Sequence, residues 1–293
     1  MTYLNRLRQV FFVFLCVFFM AACTAQPPSS PRPNSKQAPA DSGSTLLEVH
    51  YLDVGQGDST LVRFPGGFTM LIDGGNNAAG PTVVEDIRRL GIARLDAVVA
   101  THPDADHIGG LDDVLRAFEV KSFYMPRKSH TTKTFEDLLD AVAQEGLKIK
   151  EAKAGVAIPG GGGTKTYFIA PVKAYDDNNN MSAVIKLAYK EKTFLFMGDA
   201  EKKSEADILK EGEDVQADVL KLGHHGSRSS TSSAFLARVH PQYAIVSAGK
   251  NNDYGHPHAE VVQRVKKQGI KLLRTDQLGS IAVETDGHTL TFS

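Results

Sequence analysis

Residues 101–110 read THPDADHIGG and place two histidines and two aspartates within six positions. An apolar run of strand type, residues 95–100, precedes them, and a helical pattern follows. The segment is therefore expected on a strand-to-helix loop, where functional sites are usually built. Imidazole and carboxylate groups hold divalent transition metals without help from cysteine. Four such groups are more than one metal can use from so short a loop, so the segment favours two metals over a merely solvated polar loop.

The other histidines extend this pattern. Six of the ten histidines fall in pairs that follow a predicted strand or lie in the loop after one: His102 and His107, His224 and His225, His256 and His258. Strand ends at one edge of a sheet converge on one place. We therefore expect the three pairs and Asp199 to meet there.

The regular elements predict a mixed α/β domain with two sheets and helices outside them. Two hairpins, over residues 59–72 and 182–196, lead to an aspartate beside a glycine, Asp73 in one case and Asp199 in the other. A weak internal duplication with two facing sheets would produce this. Residues 217–292 then alternate strands and helices before a closing hairpin.

Composition excludes several classes of protein. With 42% hydrophobic and 23% charged residues, the 293-residue chain is neither disordered nor a multi-pass membrane protein in its bulk. Its two cysteines, Cys16 and Cys23, lie near the N-terminus, so the folded part has no disulfide and no thiolate ligand. Without residues 1–23, 31 basic residues face 34 acidic ones, a formal charge of −3. A strongly basic nucleic-acid footprint is absent, although a local patch with metals could still bind phosphate.

The N-terminus predicts export. Arg6 and Arg8 precede thirteen apolar residues, 10–22, which fall short of the ~20 that a spanning helix needs. Residues 1–22 are therefore predicted to be a signal peptide. Residues 20–23, Met-Ala-Ala-Cys, resemble the lipobox of bacterial lipoproteins, which implies cleavage before Cys23 and lipid attachment to its sulfur. A plain secretory signal is the alternative, and either reading places the mature protein outside the cytoplasm.

A tether separates this signal from the expected domain. Residues 23–44 begin with the lipidated cysteine and carry five prolines with Ser, Gln and Asn, which predicts a disordered or polyproline-like segment. The folded domain is expected over residues 45–293.

Five further segments join residues 101–110 in a resemblance to a known family: LDVGQGDS (52–59), NNMS (179–182), MGD (197–199), KLGHHGS (221–227) and GHPH (255–258). Together, over residues 46–292, they resemble the metallo-β-lactamase superfamily, and within it the hydrolase domain of ComEC-type competence proteins. The resemblance implies an α/β fold, the four-layer αββα sandwich, and a metal-dependent hydrolase of phosphodiesters.

The resemblance also implies two metal sites that share one ligand. Carried over by position, the ligands are His102 and Asp104 for the first metal, Asp106, His107 and His225 for the second, and Asp199 between them. His225 is preferred to its neighbour His224 because residues 225–228 also resemble a motif of the RNase Z branch, whose first residue is the ligand. His224 then supports the site rather than binding metal.

Two departures from the family pattern concern the first site. Asp104 stands where the commonest loop has histidine, and the usual third histidine is missing, with Asn180 as a candidate contributor. Oxygen ligands favour Mn²⁺ or Mg²⁺ relative to Zn²⁺. The expected cofactors are two divalent ions, zinc or manganese, and the oxygen ligands of the first site weigh toward manganese there.

The remaining polar residues receive supporting roles. Asp53, Asp58 and Asp73 at strand ends are expected to accept backbone hydrogen bonds and orient the ligand loops. His256, just before a helix N-terminus, is expected to contact an anionic substrate or to be a core or capping residue.

The expected reaction is attack on phosphorus by hydroxide held between the metals and oriented by Asp106. Ser227 and His258 would neutralise the growing charge, and His258 would protonate the leaving oxygen. DNA uptake and nucleotide scavenging both suit such an enzyme. Alternatives are hydrolysis of a small lactone, thioester or β-lactam, and a non-catalytic lipoprotein that binds metal or DNA. The oligomeric state is open.

The lipobox reading is testable on one residue. Cys23→Ser should release the protein from the membrane fraction, or leave it as an uncleaved precursor, without changing activity. Fractionation and immunoblotting of cells that express each form measure this. Unaltered processing and membrane association would contradict lipid attachment at Cys23.

Overall fold

The computed structural model describes residues 44–293. The predicted signal peptide and all of the predicted tether except Ser44 lie outside the described residues. The strands are β1 Leu47–Tyr51, β2 Thr60–Arg63, β3 Thr69–Ile72, β4 Arg94–Leu95, β5 Ala97–Val99, β6 Glu119–Val120, β7 Phe123–Met125, β8 Ile149–Glu151, β9 Ala157–Ile158, β10 Lys165–Ala170, β11 Val184–Tyr189, β12 Lys192–Phe196, β13 Val219–Lys221, β14 Tyr243–Val246, β15 Lys271–Arg274, β16 Ile281–Thr285 and β17 Leu290–Phe292.

Helices connect most of the parallel strands. They are α1 Gly80–Arg89, α2 Ala105–Ile108, α3 Leu111–Ala117, α4 Lys133–Gln144, α5 Lys202–Glu211, α6 Ser233–Val239, α7 Ala259–Lys267 and α8 Thr275–Leu278. Short 3₁₀ turns cover Asn77–Ala79, Asn179–Met181 and Gly223–Gly226. Within residues 44–293, no helix is both long enough and apolar enough to cross a membrane.

The strands form two large mixed sheets and a small pair, β4-β6. One large sheet has the order β17-β16-β1-β2-β3-β5-β7-β8, and the other has the order β15-β14-β13-β12-β11-β10-β9. In each, one strand has an antiparallel neighbour on one side and a parallel neighbour on the other: β3 between β2 and β5, and β12 between β11 and β13. The two predicted hairpins therefore occupy equivalent places, as a duplication would require.

Alternation along the strands produces four layers. In β3, Met70 and Ile72 join a core shared by the two sheets, whereas Leu71 joins a second core under α1, α3 and α4. In β12, Phe194 and Phe196 enter the shared core, and Leu195 packs with α5, α6 and α7. Successive strand residues point to opposite faces, so each sheet buries both of its faces. The αββα sandwich expected from the resemblance is confirmed.

Side-chain caps mark the start of two helices. The Thr132 side chain accepts a hydrogen bond from the backbone N–H of Phe135 at the start of α4, and Ser232 does the same for Phe235 in α6. Pro81 lies in the first turn of α1, where its missing N–H costs no hydrogen bond. The glycine run 160–163 forms the turn between β9 and β10.

Helix α5 was not predicted, because its sequence is mostly charged and shows no clear apolar face. It is held by a buried carboxylate instead. Glu205 is 1% exposed and accepts hydrogen bonds from the backbone N–H groups of Thr231 and Ser232. The helix therefore fixes the loop that follows β13, which carries two of the predicted site histidines.

Candidate metal centre

The polar residues of the predicted site follow four strands in the middle of the two sheets. Asp73 follows β3, the loop of residues 101–107 follows β5, Asp199 follows β12, and the His224–His225 pair follows β13. Because the carboxyl ends of these strands meet at one edge of the sandwich, the side chains converge as expected.

Asp199 lies at the centre of the cluster and is 3% exposed. Its Oδ1 lies 3.1 Å from Nε2 of His107. Its Oδ2 lies 3.5 Å from Nε2 of His225, 3.7 Å from Nε2 of His224 and 3.9 Å from Nε2 of His102. Oδ1 thus lies nearest His107, whereas Oδ2 lies near His102 and His224 but also near His225, which is assigned to the second metal.

Three spacings among the donors of the second predicted site suit one ion. His107 Nε2 and His225 Nε2 are 3.3 Å apart, and Asp106 Oδ2 is 3.2 Å from His225 Nε2. With Asp199 Oδ1 at 3.1 Å from His107, these spacings match the ~3.3 Å between donors in a tetrahedral site with bonds of about 2.0–2.1 Å.

His102 and Asp104, the two residues assigned to the first metal alone, lie close together. Nε2 of His102 is fully buried, makes no hydrogen bond within the described residues, and lies 3.5 Å from Asp104 Oδ2. A buried ring nitrogen without a partner is costly, and a metal would satisfy it. The other Asp104 oxygen accepts a 2.6 Å hydrogen bond from the side-chain amide of Asn178.

Asn180 does not supply the missing ligand. Its side-chain oxygen accepts the backbone N–H of Ser204 at 2.9 Å, and its amide nitrogen donates to Asp177 at 2.8 Å. Both ends are used in joining the turn 177–181 to α5. The prediction that Asn180 contributes to the first site is therefore wrong: its side chain bonds the backbone of Ser204 and the side chain of Asp177.

The far nitrogens of the three assigned histidines are held in place. Nδ1 of His107 donates to Asp73 at 2.8 Å, and Nδ1 of His225 donates to the backbone oxygen of Ser247 at 3.0 Å. Nδ1 of His102 is 3.0 Å from the Thr101 hydroxyl, which itself donates to Asp73 at 2.7 Å. These bonds leave each Nε2 lone pair free for a metal. Asp73 thus contacts both the ring of His107 and the hydroxyl that holds the ring of His102.

Asp58 contacts Nδ1 of His225, the ring nitrogen opposite the one that faces Asp199. Its Oδ1 lies 3.2 Å from His225 Nδ1, and its Oδ2 accepts a 2.6 Å hydrogen bond from the buried ammonium of Lys221. Donor atoms of Asp58, His107, Asp199 and His225 lie within 4.8 Å of one another. The ammonium group occupies only Oδ2, and the buried Oδ1 has no hydrogen-bond partner within the described residues. We assign Asp58 to orientation because Oδ1 faces Nδ1 of His225 and not Nε2, the nitrogen that faces Asp199. Burial raises the pKa of Asp58, but Lys221 and His225 outweigh it and lower that pKa overall.

The proton affinities show that the cluster suits a cation. Burial lowers the pKa of His225, but the Asp199 and Asp58 carboxylates outweigh it and raise the pKa to about 10. The pKa of His107 is likewise raised, by Asp199 and Asp73 against burial. A divalent ion would replace these protons, so its apparent affinity should rise with pH.

A close backbone approach shapes the metal loop. The Asp58 N–H donates to the Asp106 carbonyl oxygen at 3.1 Å. Gly57 adopts φ +144°, and a Cβ on it would lie 2.3 Å from that oxygen. Glycine is therefore required where the segment 55–58 passes the loop.

A cavity of about 170 Å³ opens onto the cluster, and its lining residues are Gln56, Asp104, Asp106, Asn179, Asp199, His224, His225, Tyr254 and His256. Asp53 lies outside it: the residue is exposed, caps the Gly55 N–H at 3.1 Å and lines a neighbouring cavity.

Ser227 and His258 do not line the 170 Å³ cavity. The Ser227 hydroxyl is paired with Ser229 at 2.9 Å, and His258 Nδ1 accepts the Arg228 backbone N–H at 3.1 Å. His256 takes the place expected for His258, and its buried Nδ1 has no hydrogen-bond partner within residues 44–293. Burial, followed by the neighbouring histidines His225 and His224, lowers the pKa of His256 to about 4.

Sequence reasoning missed Glu201, Ser182 and the role of Lys221. Glu201 accepts a 3.1 Å hydrogen bond from His224 Nδ1, and Ser182 accepts the backbone N–H of Asp199 at 3.0 Å. Single hydroxyls and carboxylates carry no signal of their own in one sequence. Lys221 belongs to a quoted motif, but only the fold brings Asp58 to it.

The comparison with family models decides the classification, because the model of the metallo-beta-lactamase superfamily matches residues 52–250. The chain belongs to the metallo-beta-lactamase superfamily. Among solved structures, the metallo-beta-lactamase fold protein YhfI from Bacillus subtilis is similar in fold, with a TM-score of 0.53 and 13% identity over 82% of this chain and 99% of that one.

Two superfamily relatives are competence proteins. The chain is 34% identical to the ComE operon protein 3 of Bacillus subtilis (strain 168), over 84% of this chain and 34% of that protein. It is also 34% identical to the competence protein ComA of Neisseria gonorrhoeae, over 78% of this chain and 31% of that protein. The chain thus spans about a third of these relatives. The resemblance stated from the sequence is confirmed, and with the metal-binding cluster it identifies a metal-dependent hydrolase related to competence proteins.

The shared role of Asp199 can be tested by counting metals. Asp199→Ala should weaken both sites, because it removes the carboxylate that faces both groups of histidines. Asp104→Ala should mainly empty the first site. Asp73→Ala should keep both sites at saturating metal while lowering stability, and metal affinity by about 10–100-fold, since it only orients His107.

Metal content of the folded variants, measured by plasma mass spectrometry beside circular dichroism, gives the answer. If Asp199→Ala retains two metals while Asp73→Ala loses them, the two equivalent aspartates have each other's roles.

Proposed function

We propose that this protein hydrolyses phosphodiester bonds in nucleic acid or nucleotides, using two divalent ions, zinc or manganese, and that it acts outside the cytoplasm. One observation carries the proposal: beneath an open cavity, Asp199 Oδ1 lies near His107 of the second predicted site, and Asp199 Oδ2 lies near His102 of the first as well as near His225. When bound, such an ion pair activates water and neutralises both the attacking and the leaving oxygens of a phosphoryl group.

The size of the cavity supports a phosphodiester over a small lactone, thioester or β-lactam. Sites that enclose a small molecule usually have about 300–1,000 Å³. The 170 Å³ above the cluster suits a single phosphoryl group whose flanking parts remain outside. Gln56 lines both this cavity and a neighbouring one of about 520 Å³, so a longer substrate has room to extend past it.

Two side chains of the cavity have roles toward the phosphoryl group. The Asp106 carboxylate, beside His225 Nε2, orients the attacking water by accepting its hydrogen bond. His256 hydrogen-bonds a phosphoryl or leaving oxygen, because its ring lines the cavity above the cluster. His256 thereby replaces His258, whose Nδ1 already accepts the Arg228 N–H.

The position of Tyr254 favours a substrate that carries nucleobases. Its side chain is 67% exposed at the edge of the cavity, and its ring stacks on His256 at 5.6 Å with 20° between the planes. An exposed aromatic ring beside a phosphate site is a platform on which a nucleobase can stack.

The cellular context follows from the N-terminus and the relatives. A lipid anchor on Cys23 would hold the enzyme at the outer side of the membrane, and the names of its relatives favour DNA as substrate. A secreted form that scavenges nucleotides is the alternative.

The purified protein, loaded with Mn²⁺ or Zn²⁺, should cleave single- or double-stranded DNA, RNA or a bis-aryl phosphate, and a chelator should abolish the activity. Asp106→Ala should lower kcat by about 100-fold or more, because it removes both the acceptor for the water and a donor of the second metal site. Asp140→Ala, on the exposed side of α4, is the matched control and should leave the rates unchanged. Cleavage of lactones, thioesters or β-lactams with no phosphodiester turnover would overturn the proposal.

The base platform has its own test. Tyr254→Ala should raise KM for single-stranded DNA about 5- to 150-fold, the equivalent of about 1–3 kcal/mol of stacking, while Tyr254→Phe should retain the wild-type KM. Steady-state kinetics of the three proteins measure this. An unchanged KM in Tyr254→Ala would show that no base stacks there.

A further inference from the structure

We propose that His224 is a ligand of the first metal and replaces the third histidine that the sequence lacks at that site. The proposal rests on the two-metal function proposed above and changes the role given to His224 from support to metal binding.

His224 shares one feature with the three assigned histidines: its Nδ1 is hydrogen-bonded and its Nε2 is the nitrogen nearer Asp199. Its Nδ1 donates to the Glu201 carboxylate at 3.1 Å, as Nδ1 of His107 donates to Asp73. Its Nε2 lies 3.7 Å from Asp199 Oδ2 and faces the cavity that this ring lines. A carboxylate on one imidazole nitrogen and an open lone pair on the other is the usual arrangement of a metal-binding histidine.

The distances place His224 with the first site. Asp199 Oδ2 lies 3.7 Å from His224 Nε2 and 3.9 Å from His102 Nε2, which itself lies 3.5 Å from Asp104 Oδ2. His225 Nε2 also lies 3.5 Å from Asp199 Oδ2, but its contacts with His107 Nε2 at 3.3 Å and Asp106 Oδ2 at 3.2 Å assign it to the second site. His224 makes neither contact among the described residues, which leaves it with His102 and Asp104. Donors around one ion with bonds of about 2.1 Å lie about 3.0–3.4 Å apart. The three spacings given above for the first site exceed the upper end of this range by 0.1–0.5 Å, which small movements of the side chains would close.

The backbone explains how two adjacent residues serve one cluster. His224 and His225 both have positive φ, 48° and 50°, which is uncommon for residues other than glycine. The backbone N–H of His224 donates to Gly198 at 3.1 Å, and its carbonyl oxygen accepts the Ser227 N–H at 2.7 Å. In an extended strand, neighbouring side chains would point to opposite sides. This left-handed turn directs both rings toward Asp199.

With His224 as a ligand, the β5 side and the β13 side of the fold contribute equal numbers of imidazoles to the two metals. The loop after β5 contributes His102 and His107, and the loop after β13, the equivalent strand of the other sheet, contributes His224 and His225. Each half then supplies one imidazole to each metal: His102 and His224 to the first, His107 and His225 to the second.

Metal counting on the full chain tests the proposal. Wild type titrated with Mn²⁺ should bind two ions per chain, and His224→Ala should bind one. Adding Asp104→Ala to His224→Ala should still leave one, because both changes empty the same site. His256→Ala is the matched control, an imidazole in the same cavity, and should bind two. Calorimetry and electron paramagnetic resonance of bound Mn²⁺ give the counts without any activity assay.

Glu201→Gln provides a milder variant if His224→Ala does not fold. It keeps an acceptor for Nδ1 but removes the charge, and should weaken the first ion about 10- to 100-fold while the second binds as in wild type. Two ions of wild-type affinity in His224→Ala, or unchanged affinities in Glu201→Gln, would overturn the role of His224 alone. A wild-type chain that binds no divalent ion would overturn the two-metal function, and this proposal with it.

Discussion

A carboxylate that is almost completely buried lies where the two sheets meet, and the surrounding residues are arranged to keep it ionised. Burial raises the pKa of Asp199, but the charges of His107, His225 and His102 outweigh this effect and lower that pKa well below its ordinary value. Leaving such a charge unpaired would cost several kcal/mol. The loops after β5 and β13 must therefore bring cationic or metal-binding groups to it, and this requirement sets their conformations.

Around this carboxylate, the chain places a layer of residues that contact histidines and not substrate. Asp73, Asp58 and Glu201 each hold one imidazole by its Nδ1, and Lys221 holds Asp58 in turn. Most of these groups are buried, so their hydrogen bonds persist without competition from water. The precision of the candidate site follows from this layer as much as from the donors themselves.

Much of this arrangement could be predicted from the sequence, because the loops after buried strands combine dense ligand types with clear strand and turn signals. The convergence of His102, His107, Asp199 and His225 was expected because each follows a strand recognisable as an apolar run, and strand ends at one sheet edge converge. Supporting roles for Asp58 and Asp73 were expected as well, but the partner of Asp58 could not be predicted, since Asp58 and Lys221 are 163 positions apart and pair only through the packing of two sheets. Ser227 and His258 were expected at the phosphoryl group, whereas the fold keeps both out of the lining of the 170 Å³ cavity.

The equivalence of β3 and β12 has a consequence for how this site can change through evolution. Each half of the chain carries an aspartate after the strand where its sheet turns from antiparallel to parallel, and two histidines after the next strand. One aspartate, Asp199, faces the candidate ligands directly, whereas its counterpart Asp73 contacts Nδ1 of His107 and the Thr101 hydroxyl and so holds the rings of its own half. Because the two halves repeat the same arrangement of ligand types, a metal donor lost from one half can be replaced by a residue of the corresponding loop of the other half, which already lies beside the site. Divergent members of such a lineage can therefore exchange ligands between halves while the scaffold stays the same.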